Sequence, residues 1–130
     1  MKLALSILLS STLLLSACGP TDPKAKKQNR EASNAALFPD PADRTGVILA
    51  FPIESFGFGS TIEFVYVPKE VSEATLIKRM RKYCAQHKSD FITGNAFVRK
   101  RGTKDSTYTD PDTGITKAVR QVYLTCVTPS

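Results

Sequence analysis

Residues 72–87 read Ser-Glu-Ala-Thr-Leu-Ile-Lys-Arg-Met-Arg-Lys-Tyr-Cys-Ala-Gln-His, and this stretch decides the fold. Leu76, Ile77, Met80, Tyr83, Cys84 and His87 recur at the three- and four-residue spacing that puts side chains on one face of an α-helix. Ser72 stands where an N-cap hydroxyl accepts a backbone N–H that the first turn leaves unpaired, and Glu73 puts a carboxylate at the positive helix end. Lys78, Arg79, Arg81, Lys82 and Gln86 occupy the other face. An amphipathic helix of this kind needs an apolar surface to lie on.

The segments around it supply strands. Residues 61–67 alternate, with Ile62, Phe64 and Tyr66 on one face and Thr61, Glu63 and Val65 on the other, until Pro68 stops the run. Residues 47–51 form a short apolar strand ended by Pro52, and residues 91–98 place Ile92, Gly94, Ala96 and Val98 on one side. In residues 119–127, Val122, Leu124 and Cys126 share a face. The expected architecture is α+β, in the order β-β-α-β-β: one small domain, residues 46–130, with one helix covering an antiparallel sheet of about four strands. Residues 99–117 are polar and rich in turn formers. They are either a long loop, mobile or interacting, or an extension of the flanking strands into a ribbon.

Further out, Met1 and Lys2 precede an apolar run over residues 3–15, shorter than the roughly 20 residues that span a bilayer. Residues 1–17 therefore read as a signal peptide. Leu15, Ser16, Ala17 and Cys18 resemble the lipobox of bacterial lipoproteins. That resemblance implies cleavage before Cys18 and acyl chains of the palmitate type on this cysteine, which hold the mature chain at a membrane. Several chains at about 0.8 kcal/mol per buried methylene make such anchoring stable, whereas one chain does not. Gly19 stands where the sorting pattern for inner-membrane retention has Asp, so the resemblance implies the outer membrane, facing the periplasm.

Residues 18–45 hold Pro20, Pro23, Pro39 and Pro41 and the cluster Lys24, Lys26, Lys27, with few apolar side chains. Such a composition predicts a flexible tether after the lipidated cysteine. As a coil it would reach about 30 Å. Without residues 1–17 the chain keeps 17 Lys plus Arg against 12 Asp plus Glu, a side-chain charge of +5. For an exported protein this basic balance points to anionic lipid or an acidic protein partner in the envelope and away from nucleic acid.

With Cys18 acylated, Cys84 and Cys126 remain as a pair in an oxidising compartment. Each falls on the buried face of its element. A structural disulfide between helix and last strand is expected, and a domain this small gains from such a staple. The competing readings are a redox pair or a metal site of Cys84, His87 and Cys126, which lacks a fourth ligand and any CxxC element.

His87 is the only histidine, and no Gly-x-Ser-x-Gly turn presents a serine nucleophile. Asp110 and Asp112 flank Pro111 before Thr113-Gly114, which is turn chemistry before it is a catalytic pair. These features predict a protein that is no enzyme and uses no cofactor or metal. Lys78, Arg79, Arg81 and Lys82, with Arg99, Lys100 and Arg101 nearby in the expected fold, are candidates for a basic interaction patch. Phe56 and Phe58, set between glycines, are candidates for an exposed binding tip.

The Gly59-Ser60 pair, the strand ending at Tyr66, the helix ending in Tyr83-Cys84, Ala96-Phe97 and the terminal Leu124-Thr125-Cys126 resemble small YecR-like lipoproteins. The resemblance implies a cell-envelope lipoprotein and assigns no catalytic residue. The missing motifs and the tether favour an accessory or binding module with an envelope protein partner; the alternatives are an inhibitor or immunity-type protein that blocks a lytic enzyme with the 99–117 segment or the Phe56 turn, and a small hydrolase, which would require a pocket converging on His87.

Overall fold

In the computed structural model, which describes residues 22–53, 61–86 and 97–127, the helix expected after Ser72 is α2, Glu73–Gln86. The Thr75 N–H donates to Ser72 Oγ at 3.1 Å and the Leu76 N–H to the Ser72 carbonyl at 3.1 Å, so Ser72 is its N-cap. Leu76, Met80 and Cys84 point inward and are fully buried. His87 lies outside the described residues.

Four strands, β1 (Val47–Ile53), β2 (Thr61–Tyr66), β3 (Phe97–Thr109) and β4 (Thr116–Val127), form one sheet in the order β1-β2-β4-β3 with every pair antiparallel. The fold is α+β. Period-two alternation sorts the side chains: Ala50, Ile62, Phe64, Tyr66, Val122, Leu124 and Cys126 share the face that α2 covers. Each large apolar side chain buried there stabilises by about 1.5–3 kcal/mol. Cys84 and Cys126 are joined, with Cα atoms 5.7 Å apart, so helix and inner strand are pinned through the middle of this core.

The polar stretch 99–117 is a ribbon. β3 and β4 pair from Phe97↔Val127 to Thr109↔Thr116, well beyond the end of β2 at Tyr66↔Arg120. Gly102, at φ +61°, sits in a bulge between Arg101 and Thr103. The turn is local chemistry: the Gly114 N–H donates to the Asp110 carbonyl at 2.8 Å and the Asp112 N–H to Asp110 Oδ1 at 2.8 Å. A ribbon solvated on both faces needs no apolar alternation, which is why its strands read as loop. The strand expected over 91–98 falls mostly outside the described residues; β3 begins at Phe97.

The tether expected over residues 18–45 requires correction from residue 22 onward, because Pro23–Leu37 is a helix, α1, followed by a 3-10 turn, Pro41–Arg44. Asp22 is the N-cap, its carboxylate accepting the Lys24 N–H at 3.2 Å, and Pro23 occupies the first turn, where a missing N–H does no harm. Pro39 and Pro41 lie just past the helix end. The prolines punctuate a helix rather than stiffen a coil.

Little of α1 docks through apolar contact. Asn34, 4% exposed, lies along the outer edge of β1 and bonds it as a neighbouring strand would: its Nδ2 donates to the Ile48 carbonyl at 3.2 Å and its Oδ1 accepts the Ala50 N–H. Ser33 Oγ donates to the Ala50 carbonyl at 3.0 Å. The Ile48 bond falls where the β1–β2 register shifts between Val47 and Leu49 and the Ala50 bonds just beyond it, so α1 closes an edge that would otherwise stay open. Beyond the helix, Phe38 enters the core against Phe64 and Tyr83.

Candidate functional site

The basic face of α2 is divided. The Arg79 guanidinium donates to the Thr45 carbonyl at 2.8 Å, and partial burial lowers its proton affinity. Lys82 bonds Asp43 at 2.8 Å, a contact that raises its pKa, and Asp40 stands 4.0 Å away. Both cations line a cleft of about 200 Å³ between α2 and the 3-10 turn, with Phe38 and Tyr83 at its base. They fasten the N-terminal segment to the helix. Lys78 and Arg81 remain exposed, without an ion pair among the described residues.

The Arg99-Lys100-Arg101 run is divided too, by the pleat. Lys100 lies on the α2 side and bonds Glu73 at 2.9 Å. Arg99 and Arg101 project from the opposite face with Lys104, which the Gly102 bulge returns to their side. All three are exposed and have no ion pair among the described residues.

The face turned from α2 is ordered in three cross-strand rows, Leu49–Val65–Gln121–Lys104, Phe51–Glu63–Tyr123–Arg101 and Ile53–Thr61–Thr125–Arg99. Its β1 side is apolar and its β3 side cationic. The centre is polar and satisfied: Gln121 Nε2 donates to Glu63 and, at 3.1 Å, to Tyr123 Oη, while the Thr61 and Thr125 hydroxyls bond each other at 2.8 Å. Glu63 is thereby committed to Gln121 instead of Arg101. Phe51 is 51% exposed, in the same row as Arg101. An exposed aromatic, a fixed amide-carboxylate network and unpaired cations within one sheet face suit contact with an acidic surface carrying an apolar spot. The period-two placement of Arg99 and Arg101 signals this face in the sequence, but only once residues 99–109 are recognised as a strand.

The tip of the ribbon is tied down. Lys27 Nζ bridges Asp110 at 3.0 Å and Asp112 at 2.7 Å, and Arg30 donates to Tyr108 Oη at 3.0 Å with its guanidinium 5.1 Å from the ring centre. The two carboxylates raise the Lys27 pKa. The Asp112 N–H and then Lys27 hold the Asp110 carboxyl below its ordinary value. Asp110 and Asp112 thus form a latch between α1 and the turn.

Cys18, Phe56 and Phe58 lie outside the described residues. Among the described residues, no group of three or more His, Cys, Asp or Glu side chains is placed to hold a metal ion, and no helix is long and apolar enough to cross a membrane. No protein-family model, curated protein or solved structure matches the chain.

Proposed function

We propose that the protein is a cell-envelope lipoprotein, anchored at the outer membrane through acyl chains on Cys18, whose domain is a non-enzymatic binding or accessory module for an acidic envelope protein. The lipobox-like residues before Cys18 support the anchor. The observation that carries the binding reading is the sheet face on which exposed Phe51 shares a row with unpaired Arg101, between Arg99 and Lys104. An exposed aromatic at one edge of this face and unpaired cations at the other supply an apolar anchor and a charge match for one acidic partner.

The inhibitor reading needs the ribbon tip or the turn at Phe56 and Phe58 as a plug; the Lys27 latch counts against the ribbon tip, and the turn lies outside the described residues. The test is crosslinking in the protein's own cells, detergent solubilisation and identification of captured neighbours by mass spectrometry. It is run with the native chain and with the triple variant Arg99→Glu, Arg101→Glu, Lys104→Glu. A reproducible envelope partner captured by the native chain and lost from the variant supports the module. Equal capture by both removes this face from the reading. Release of Cys18→Ser from the membrane fraction supports the anchor, and its retention overturns it.

A further inference from the structure

We infer that the N-terminal end of α1 and the ribbon tip latched to it form the membrane-facing end of the domain, with Ile115 seated among phospholipid headgroups and the cationic sheet face held away from the bilayer. The inference rests on Cys18 bearing lipid. Four residue steps separate Cys18 from the N-cap Asp22, so at about 3.4 Å per residue the fold begins no more than about 14 Å from the acylated cysteine. A domain starting at residue 46 would hang on 28 residue steps instead of four and have no fixed orientation.

What lies at the anchored end follows from the latch. Lys27, the fifth residue of α1, holds Asp110 and Asp112, and the Asp110 N–H donates to the Ile115 carbonyl at 2.9 Å, so Ile115 belongs to the turn fastened to the N-terminal part of α1. Its side chain is 56% exposed; with Phe51 it is one of two exposed large hydrophobic residues among the described ones. Lys24 and Lys26, exposed in the first turn of α1, have aliphatic stems long enough to lie along an interface while their ammonium groups reach phosphate. Lys27 offsets one of the two carboxylate charges of Asp110 and Asp112, and the exposed Lys24 and Lys26 outweigh the other toward headgroup phosphates. Arg101 stands eight residues along β3 from Thr109, about 26 Å at the rise of a strand. The ribbon is the spacer between lipid and partner.

The chain has no tryptophan, so one introduced indole reports its own surroundings. Ile115→Trp and, as a control in the last turn of α2, whose Gln86 lines the cleft with Leu37 at the far end of α1, Ala85→Trp are purified as the mature membrane protein. Intact mass records whether Cys18 is acylated. Each is then placed in phosphatidylethanolamine and phosphatidylglycerol vesicles containing acyl-brominated lipid. We expect acylated protein, blue-shifted emission and several-fold stronger bromolipid quenching for the indole at 115 than at 85, and loss of that difference when Lys27→Ala is added to open the latch. Acylated protein with equal quenching at both positions overturns the orientation and leaves the anchor standing. A mass without acyl chains overturns the anchor and this inference with it. Blue-shifted but unquenched emission at 115 means that a co-purified protein covers Ile115, and also overturns it.

Discussion

Asn34 Oδ1 lies 2.6 Å from the amide nitrogen of Ala50, and through this bond a helix side chain completes the backbone pairing of an edge strand. Ala50 is fully buried, so its N–H has no water to fall back on. Asn34→Ala is expected to lower stability by about 2 kcal/mol, the scale of a buried group left unsatisfied. Asn34→Asp should be worse near neutral pH, because the Nδ2 that bonds the Ile48 carbonyl becomes a carboxylate oxygen facing it. Urea unfolding of both variants checks the order.

Gly46 links the 3-10 turn to β1 at φ +76°, and a Cβ placed there would stand 2.6 Å from Val71 Cγ1. Its carbonyl also accepts the Val67 N–H at 2.9 Å, so the backbone has little freedom to move aside. Gly46→Ala combines a disfavoured dihedral with overpacking and is expected to destabilise by about 2–3 kcal/mol. Gly114, also at positive φ, has nothing within 4 Å of such a Cβ, and its alanine variant should lose only about 1 kcal/mol. Thermal unfolding of the two variants separates crowding from dihedral strain.

The Cys84–Cys126 bond closes a loop of 42 residues, for which chain entropy gives up to about 4 kcal/mol. Reduction should lower the unfolding free energy by up to about 4 kcal/mol and bring the urea midpoint down in proportion. An unchanged midpoint after verified reduction would show that the core alone fixes helix to strand.

The latch has a defined acid limit. Asp110 is held below its ordinary value, so the stability it contributes is complete above the unfolded carboxylate pKa of about 4 and is lost as pH falls through its lower folded value. Asp105, lowered by Arg120, adds loss in the same direction. Amide protection in the first turns of α1, measured relative to intrinsic exchange at each pH, should therefore fall below about pH 4, before the core of β2 and β4 loosens. Lys27→Ala should show fast exchange there already at neutral pH.

The parts of the fold that bury apolar side chains were legible in the sequence. α2 with its Ser72 cap, β1, β2, β4 and the cysteine pair all follow from spacing and periodicity, because each must present a continuous face to one core. α1 was not, since it docks through Ser33, Asn34, Lys27 and Arg30, and a helix bound by polar groups has the composition of a disordered segment. The ribbon was legible only as one alternative for the same reason. The candidate surface was half visible: the basic residues were found, but which of them face one another depends on the pleat that separates Lys100 from Arg101 and on the 3-10 turn that occupies Arg79 and Lys82.

The disulfide also governs how the protein bears load. Under tension between its two ends, α1, β1 and β2 are held to the remainder by hydrogen bonds and packing, but force reaching Cys84 crosses directly to Cys126. The 42 residue steps from Cys84 to Cys126, which include the whole of β3, would add about 140 Å of contour if extended, and the bridge hides that length. A stretched chain would thus shed its N-terminal half while the ribbon stays a closed ring, so the strand bearing Arg99 and Arg101 is the part that pulling cannot draw out straight.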